Sequence, residues 1–207
     1  MNQNNQLKAV IFDVGGVLIV THNRAGRQKW ADRLGLDAWD FENFVFGGES
    51  GRQAQLGQKS NQAHWAWLGE HFGLNGNELA QLRHDFFAGD HINQPLVETV
   101  QRLRQAGYKT GILSNFGDNA RRLWREVYPF IDYFDGIIIS AEVGMMKPEA
   151  PIYRLATDSV GVQPKEAVFI DDFIENIEGA RAVGMAGIHF TDTDAVQQEL
   201  RQLTGVE

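Results

Sequence analysis

From residue 93 onward the chain alternates short runs rich in β-branched residues with stretches whose apolar residues recur at helical spacing. The runs are Thr110–Leu113, Gly136–Ser140, Ala167–Ile170 and Gly187–Phe190, and an earlier one, Leu7–Phe12, stands near the start of the chain. Short, almost continuously apolar runs are how strands buried on both faces read. Between them, Leu96, Val97, Val100 and Leu103 mark one face of a helix, with Pro95 suited to its first turn and Gly107 to its end. Parallel strands need crossover connections, so this alternation predicts right-handed βαβ units. The expected fold class is α/β, a doubly wound parallel sheet covered by helices.

Residues 21–91 break the pattern. They are aromatic-rich and helix-like, without a convincing strand, and they interrupt the chain between the first strand and the second. Two domains are therefore expected: a core of residues 1–20 and 92–207, and an inserted α-helical cap of residues 21–91. Within the insert, Trp30 to Leu36 is a helical segment stopped by Gly35, and Ser60 is placed to cap a helix running to Phe72. Trp65, Trp67, Phe86 and Phe87 are expected to pack a small helical bundle. Gly47, Gly48 and Gly51 read as a turn, since no Lys-Ser or Lys-Thr follows at phosphate-loop spacing. His64 and His71, seven residues apart, suit a half-exposed helix face better than a metal site. The insert is joined to the core by two short crossings near residues 18–22 and 90–94, which would permit hinge motion.

Composition narrows the function classes. With 207 residues and 43% apolar content, a sizeable core can be buried. There is no cysteine, so thiolate nucleophiles, thiolate zinc sites and disulfides are excluded. A formal charge of −8 argues against nucleic-acid binding. The dense basic run Arg121, Arg122 and Arg125 reads as a solvated helix face. Met1–Gln6 lack the basic-then-apolar order of a signal peptide, and no apolar run approaches the roughly 20 residues that span a bilayer. A cytoplasmic protein with no membrane partner is expected, as monomer or homodimer.

In open α/β sheets ligands bind beyond the carboxyl ends of the strands, where strand order reverses. Here the strand ends carry Phe12-Asp13-Val14-Gly15-Gly16-Val17, then Ser114-Asn115, then Lys147-Pro148, then Asp171-Asp172. Singly these are ordinary turn and cap residues. Together, in register with four successive strand ends, they resemble the four motifs of the haloacid dehalogenase (HAD) superfamily over Leu7 to Thr191. The stretch Met146–Met185, with Lys-Pro-Glu-Ala-Pro-Ile-Tyr and Phe-Ile-Asp-Asp-Phe-Ile-Glu-Asn-Ile-Glu-Gly-Ala, further resembles bacterial phosphatases that act on α-glucose 1-phosphate.

The resemblance implies a HAD-like Rossmannoid core and a Mg²⁺-dependent phosphatase of small phosphorylated metabolites. Asp13 would attack phosphorus and form a phosphoaspartate. Mg²⁺ would be held by Asp13, the carbonyl of Gly15 and Asp172, with Asp171 behind the ion or reaching it through water. Ser114 would donate to a phosphate oxygen, the amides around Gly16 and Asn115 would cradle the others, and Lys147 would neutralise phosphate and nucleophile together. Asn176 falls where the family supports its metal site.

One departure matters. Most phosphatases of the superfamily carry a second Asp two residues after the nucleophile, as acid and then base; here that position is Gly15. A general acid contributes about 10²- to 10⁴-fold, so leaving groups that need little protonation, such as anomeric sugar phosphates or acyl phosphates, would suffer least. The same gap leaves two alternatives: a metal-independent 2-haloacid dehalogenase, which Asp171 and Asp172 argue against, and a binding or regulatory member of the superfamily with failing catalysis.

Overall fold

The computed structural model describes residues 7–207; Met1–Gln6, on which the signal-peptide argument rests, lie outside the described residues. The strands are β1 (Ala9–Phe12), β2 (Ile19–Thr21), β3 (Asp90–Ile92), β4 (Lys109–Ser114), β5 (Gly136–Ile139), β6 (Ala167–Asp171) and β7 (Ala186–His189). Five form one sheet in the order β5-β4-β1-β6-β7, every neighbouring pair parallel. All five were legible as apolar runs, with ends shifted by one or two residues.

Each strand turns alternate side chains to opposite faces. Val10 and Phe12, with Ile112, Val168 and Ile170, join one buried cluster, while Ala9 and Ile11, with Leu113, Ala167 and Phe169, join another. The insert comes before the helices that cover these faces. It holds α1 (Ala25–Leu34), α2 (Ala38–Phe46), α3 (Glu49–Gln55), α4 (Asn61–His71) and α5 (Gly76–Phe87). After it come α6 (Gln94–Gln105), α7 (Ala120–Glu126), α8 (Ser140–Val143), α9 (Ala150–Ser159), α10 (Ile174–Ala182) and α11 (Thr193–Thr204). Leu96, Val100 and Leu103 of α6 and Val196 and Leu200 of α11 close the first cluster. Ile152 and Tyr153 of α9 and Ile177 of α10 close the second. Helices therefore cover both faces of a parallel sheet, the doubly wound α/β architecture.

Helices α1–α5 pack on one another around a third cluster of Trp30, Phe41, Trp65, Leu68, Leu82 and Phe86. Their starts are fixed locally: Ser60 accepts from the amide of Ala63 at 3.1 Å. Asn75 and Glu78 satisfy each other's backbone amides at the start of α5. Gly35, with φ of 69°, ends α1. One expectation needs correction. His64 is buried at 3% exposure, with Nδ1 3.0 Å from Ser50 Oγ and Nε2 2.8 Å from the carbonyl of Val45. A histidine with both ring nitrogens partnered tolerates burial that periodicity alone does not foresee.

The two crossings are also more than tethers. As β2 and β3 they pair antiparallel, Ile19 with Ile92 and Thr21 with Asp90. Arg27 of α1 locks this ribbon to the helices. Its guanidinium donates to Asp90 Oδ1 (2.8 Å), to Thr21 Oγ1 (3.1 Å) and to the carbonyl of Phe86 (3.0 Å), and lies 3.2 Å from Glu42 Oε2. No described helix is long and apolar enough to cross a membrane.

Candidate active site

Strand order reverses at β1, and Asp13 is the first residue beyond it. The register pairs Phe12 with Ile112 on one side and Ile170 on the other, so the ends of β4 and β6 deliver Ser114 and Asp171 to the same edge as Asp13. The amide of Asp13 donates to the carbonyl of Ile170 at 2.9 Å, which fixes the backbone where the side chain leaves the sheet. Asp13, Ser114, Lys147 and Asp171 are all buried, and Asp172 is partly buried.

Lys147 reaches in from the loop after α8. Its Nζ donates to Asp171 Oδ2 at 2.6 Å and lies 2.9 Å from Asp13 Oδ1, over the ring of Phe169. Burial works against the ammonium, but Asp13 and Asp171 outweigh it and hold its pKa above the ordinary value. The backbone of Lys147 is held by Asn115, whose Oδ1 accepts from the Lys147 amide (2.9 Å) and whose Nδ2 donates to the Lys147 carbonyl (3.1 Å). The side chain of Asn115 thus positions the lysine, a role its place in a Ser-Asn turn does not reveal.

The two aspartates after β6 differ sharply. Asp171 has both oxygens occupied: Oδ2 by Lys147, and Oδ1 by the amide of Phe173 (2.8 Å) and by Asn176 Nδ2 (2.9 Å). Asn176 therefore braces Asp171. By contrast, Oδ1 of Asp172 and Oδ1 of Asp13 are buried without an aligned hydrogen-bond donor, the nearby ammonium on Asp13 notwithstanding. The three carboxylates each place an oxygen within 4.8 Å of the others. Burial, with the neighbouring carboxylates, pushes Asp13 up to about 7 against the pull of Lys147. Burial and Asp171 push Asp172 up to about 6. Three carboxylates facing one ammonium are short of positive charge, and Asp172 carries a buried oxygen with no partner. A divalent cation fits that donor set, with Asp13 and Asp172 as the ligands offering an oxygen.

The glycines of the first loop divide the space. Gly16 has φ of 76°, and a Cβ there would stand 2.1 Å from Asp172 Oδ2, so only glycine leaves Asp172 in place. Gly15 is exposed, and a Cβ there would meet nothing within 4 Å. The room an acid would fill is open. Residues near the first crossing are engaged locally: Asn23 Oδ1 accepts from the amide of Ala25, Arg24 pairs with Glu42, and the His22 ring packs against His91.

The switch point of a doubly wound α/β sheet thus gathers three carboxylates, a buried lysine and a strand-end serine. The haloacid dehalogenase-like hydrolase family model matches residues 7–184, and the chain belongs to that family. It is 31% identical to the sesquiterpene phosphatase astK of Aspergillus oryzae over 96% of this chain and 97% of that one. It is also 31% identical to the bifunctional epoxide hydrolase 2 of Sus scrofa, of which it spans 39%, with 97% of this chain covered. Among solved structures, a HAD family enzyme from Bacteroides thetaiotaomicron, in complex with magnesium and inorganic phosphate, superposes with a TM-score of 0.72 at 24% identity, covering 88% of this chain and 93% of that one. That likeness concerns the fold.

Proposed function

We propose that the protein is a Mg²⁺-dependent phosphomonoester hydrolase that forms a phosphoaspartate on Asp13. The observation that carries this reading is the contrast at the end of β6. Asp171 is saturated by Lys147, Asn176 and a backbone amide, while Asp172 keeps a buried oxygen without a hydrogen-bond partner and Asp13 shares the one lysine with Asp171. The relative named a phosphatase supports it over nearly the whole chain.

Bound between Asp13, the Gly15 carbonyl and Asp172, Mg²⁺ would neutralise charge on the phosphate and allow an anionic nucleophile to approach it. The chain's own residues do the rest. Asp13 attacks phosphorus through one carboxylate oxygen, the ester bond breaks, and the leaving oxygen departs as an anion that takes a proton from water. Lys147 spreads positive charge over nucleophile and phosphate, held to its place by Asp171 and Asn115. Ser114 and the amides around Gly16 and Asn115 hold the phosphate oxygens. Water then attacks phosphorus of the phosphoaspartate and frees Asp13. Helices α1–α5 act as a cap over this site, swinging on the β2–β3 ribbon.

No side chain stands at residue 15 to protonate the leaving group, so the substrate's leaving group needs little protonation. A sugar 1-phosphate, which the narrower sequence resemblance implied, meets that condition; so does an aryl phosphate. The test is phosphate release from an activated aryl phosphate with and without Mg²⁺, beside Asp13→Asn. Mg²⁺-dependent release that the variant abolishes is expected; release that survives in Asp13→Asn, or halide release from a 2-haloacid without metal, overturns the reading.

A further inference from the structure

A small cavity adjoins the segment that leaves β4 at the site. It is lined by Asn115, Phe116 and Gly117 on the core side, and by residues of α2 to α5 that include Phe46, Trp65 and Phe87. Its volume is about 40 Å³, scarcely more than one water. Trp65 and Phe87 also line a larger open groove of about 770 Å³ between α4, α5 and the end of α7, where Leu79, Ala80 and Val127 face it. The two aromatic rings thus stand between the site's antechamber and a space within the range of ligand pockets.

Most polar side-chain atoms of the antechamber are already committed. His64 uses both ring nitrogens on Ser50 and the Val45 carbonyl. Asn115 uses both amide atoms on the backbone of Lys147. Gln55 donates to the carbonyl of Phe46 at 2.8 Å, and Asn61 Oδ1 accepts from Arg83. A sugar seated here would lose its hydration and find these groups engaged, which is costly for every hydroxyl it buries. On another lip of the site, Phe173 and Ile174, next after Asp172, are 54% and 41% exposed. They offer ring and aliphatic surface in place of hydrogen bonds.

Resting on the phosphatase reading above, we infer that the substrate is a phosphomonoester with an apolar leaving group, which lies along Phe46, Trp65 and Phe87 and extends into the groove between α4, α5 and α7 when the rings part. The reaction class is unchanged: the P–O bond to the leaving group breaks, the phosphoryl group passes to Asp13 and then to water, and an apolar phenol or similarly acidic alcohol leaves as its anion and takes a proton from water.

The experiment compares kcat/KM for para-methyl-, para-butyl- and para-octylphenyl phosphate, whose leaving phenols are of like acidity, with glucose 1-phosphate, p-nitrophenyl phosphate serving as control. Each methylene drawn out of water is worth about 0.8 kcal/mol, so kcat/KM should rise roughly threefold to fourfold per methylene until the groove is filled. Glucose 1-phosphate should fall at least tenfold below the butyl ester. Ala66→Trp, which places an indole in the groove from an exposed position on α4, should flatten the rise between butyl and octyl. Mg²⁺-dependent hydrolysis of p-nitrophenyl phosphate, together with rates indifferent to chain length or a preference for glucose 1-phosphate, overturns this inference and leaves the phosphatase reading standing. No hydrolysis of any ester overturns both.

Discussion

Asp171 holds Lys147: its Oδ2 accepts from Nζ at 2.6 Å, while its other oxygen is tied down by Phe173 and Asn176. The carboxylate next in sequence, Asp172, has a buried oxygen with no donor at all. Adjacent residues leaving a strand point in different directions, and in the proposed reaction that geometry would divide the work, one aspartate for the lysine and one for the cation.

Asp171→Asn and Asp172→Asn should therefore fail differently. Asp172→Asn is expected to raise the Mg²⁺ concentration for half-maximal activity at least tenfold. Asp171→Asn should keep the Mg²⁺ requirement within a few-fold and lower kcat by about 10- to 100-fold, the usual effect of removing a partner that orients an active group. A Mg²⁺ titration of phosphate release in both variants checks this; the same Mg²⁺ shift in both would contradict it.

The open space at residue 15 gives a gain-of-function test. A Cβ there meets nothing within 4 Å, whereas one at Gly16 would collide with Asp172. Gly15→Asp should raise turnover of unactivated alkyl phosphates, by up to about 10²- to 10⁴-fold, with little change for p-nitrophenyl phosphate, whose leaving group needs no acid. Gly16→Ala should abolish both activities. Rates measured across esters of graded leaving-group acidity decide it, and an unchanged profile in Gly15→Asp would show that another group already supplies the proton.

Arg27 carries a stability prediction. It is 5% exposed and bonds Asp90, Thr21 and the Phe86 carbonyl at once. Arg27→Met leaves Asp90 without its charged partner in a partly buried place, and removing one member of a buried pair costs about 3–5 kcal/mol. Urea unfolding followed by tryptophan fluorescence should show the loss, and a change below about 1 kcal/mol would deny the ribbon its lock.

His64 sets a pH dependence. Burial holds its pKa below the ordinary 6.5 in the folded chain. Below about pH 6.5 the unfolded chain takes up a proton that the folded chain refuses, so this group's contribution to stability is complete above that pH and declines as pH falls. Melting temperatures at pH 7.5 and 5.5, as rough choices on either side, should differ less in His64→Gln than in the wild type. An equal difference would locate the acid sensitivity elsewhere.

The sheet was legible because strands buried on both faces leave continuous apolar runs, as Ala167–Asp171 does. β2 and β3 were not, since three residues each carry too little pattern and are held by pairing across a sequence separation of 69, as the Thr21–Asp90 hydrogen bond shows. At the site, Asp13, Lys147 and the Asp171–Asp172 pair could be named from their places after strands. The clamp of Asn115 on Lys147 and the committed state of His64 and Gln55 could not, because each depends on a partner set by tertiary packing. The sugar expectation came from the resemblance of Met146–Met185 to sugar 1-phosphatases and from Gly15, which bears on the leaving group's acidity and says nothing of its polarity.

In the proposed reaction Asp13 itself becomes phosphorylated. Acid quenching of the wild-type enzyme during turnover of p-nitrophenyl phosphate with Mg²⁺, followed by peptide mass spectrometry, should find one phosphoryl group on the peptide containing Asp13, lost on treatment with hydroxylamine and never formed without Mg²⁺. Phosphate release in the same reaction with Asp13 unmodified at every quench time, or with the phosphoryl group on another residue, would contradict the account.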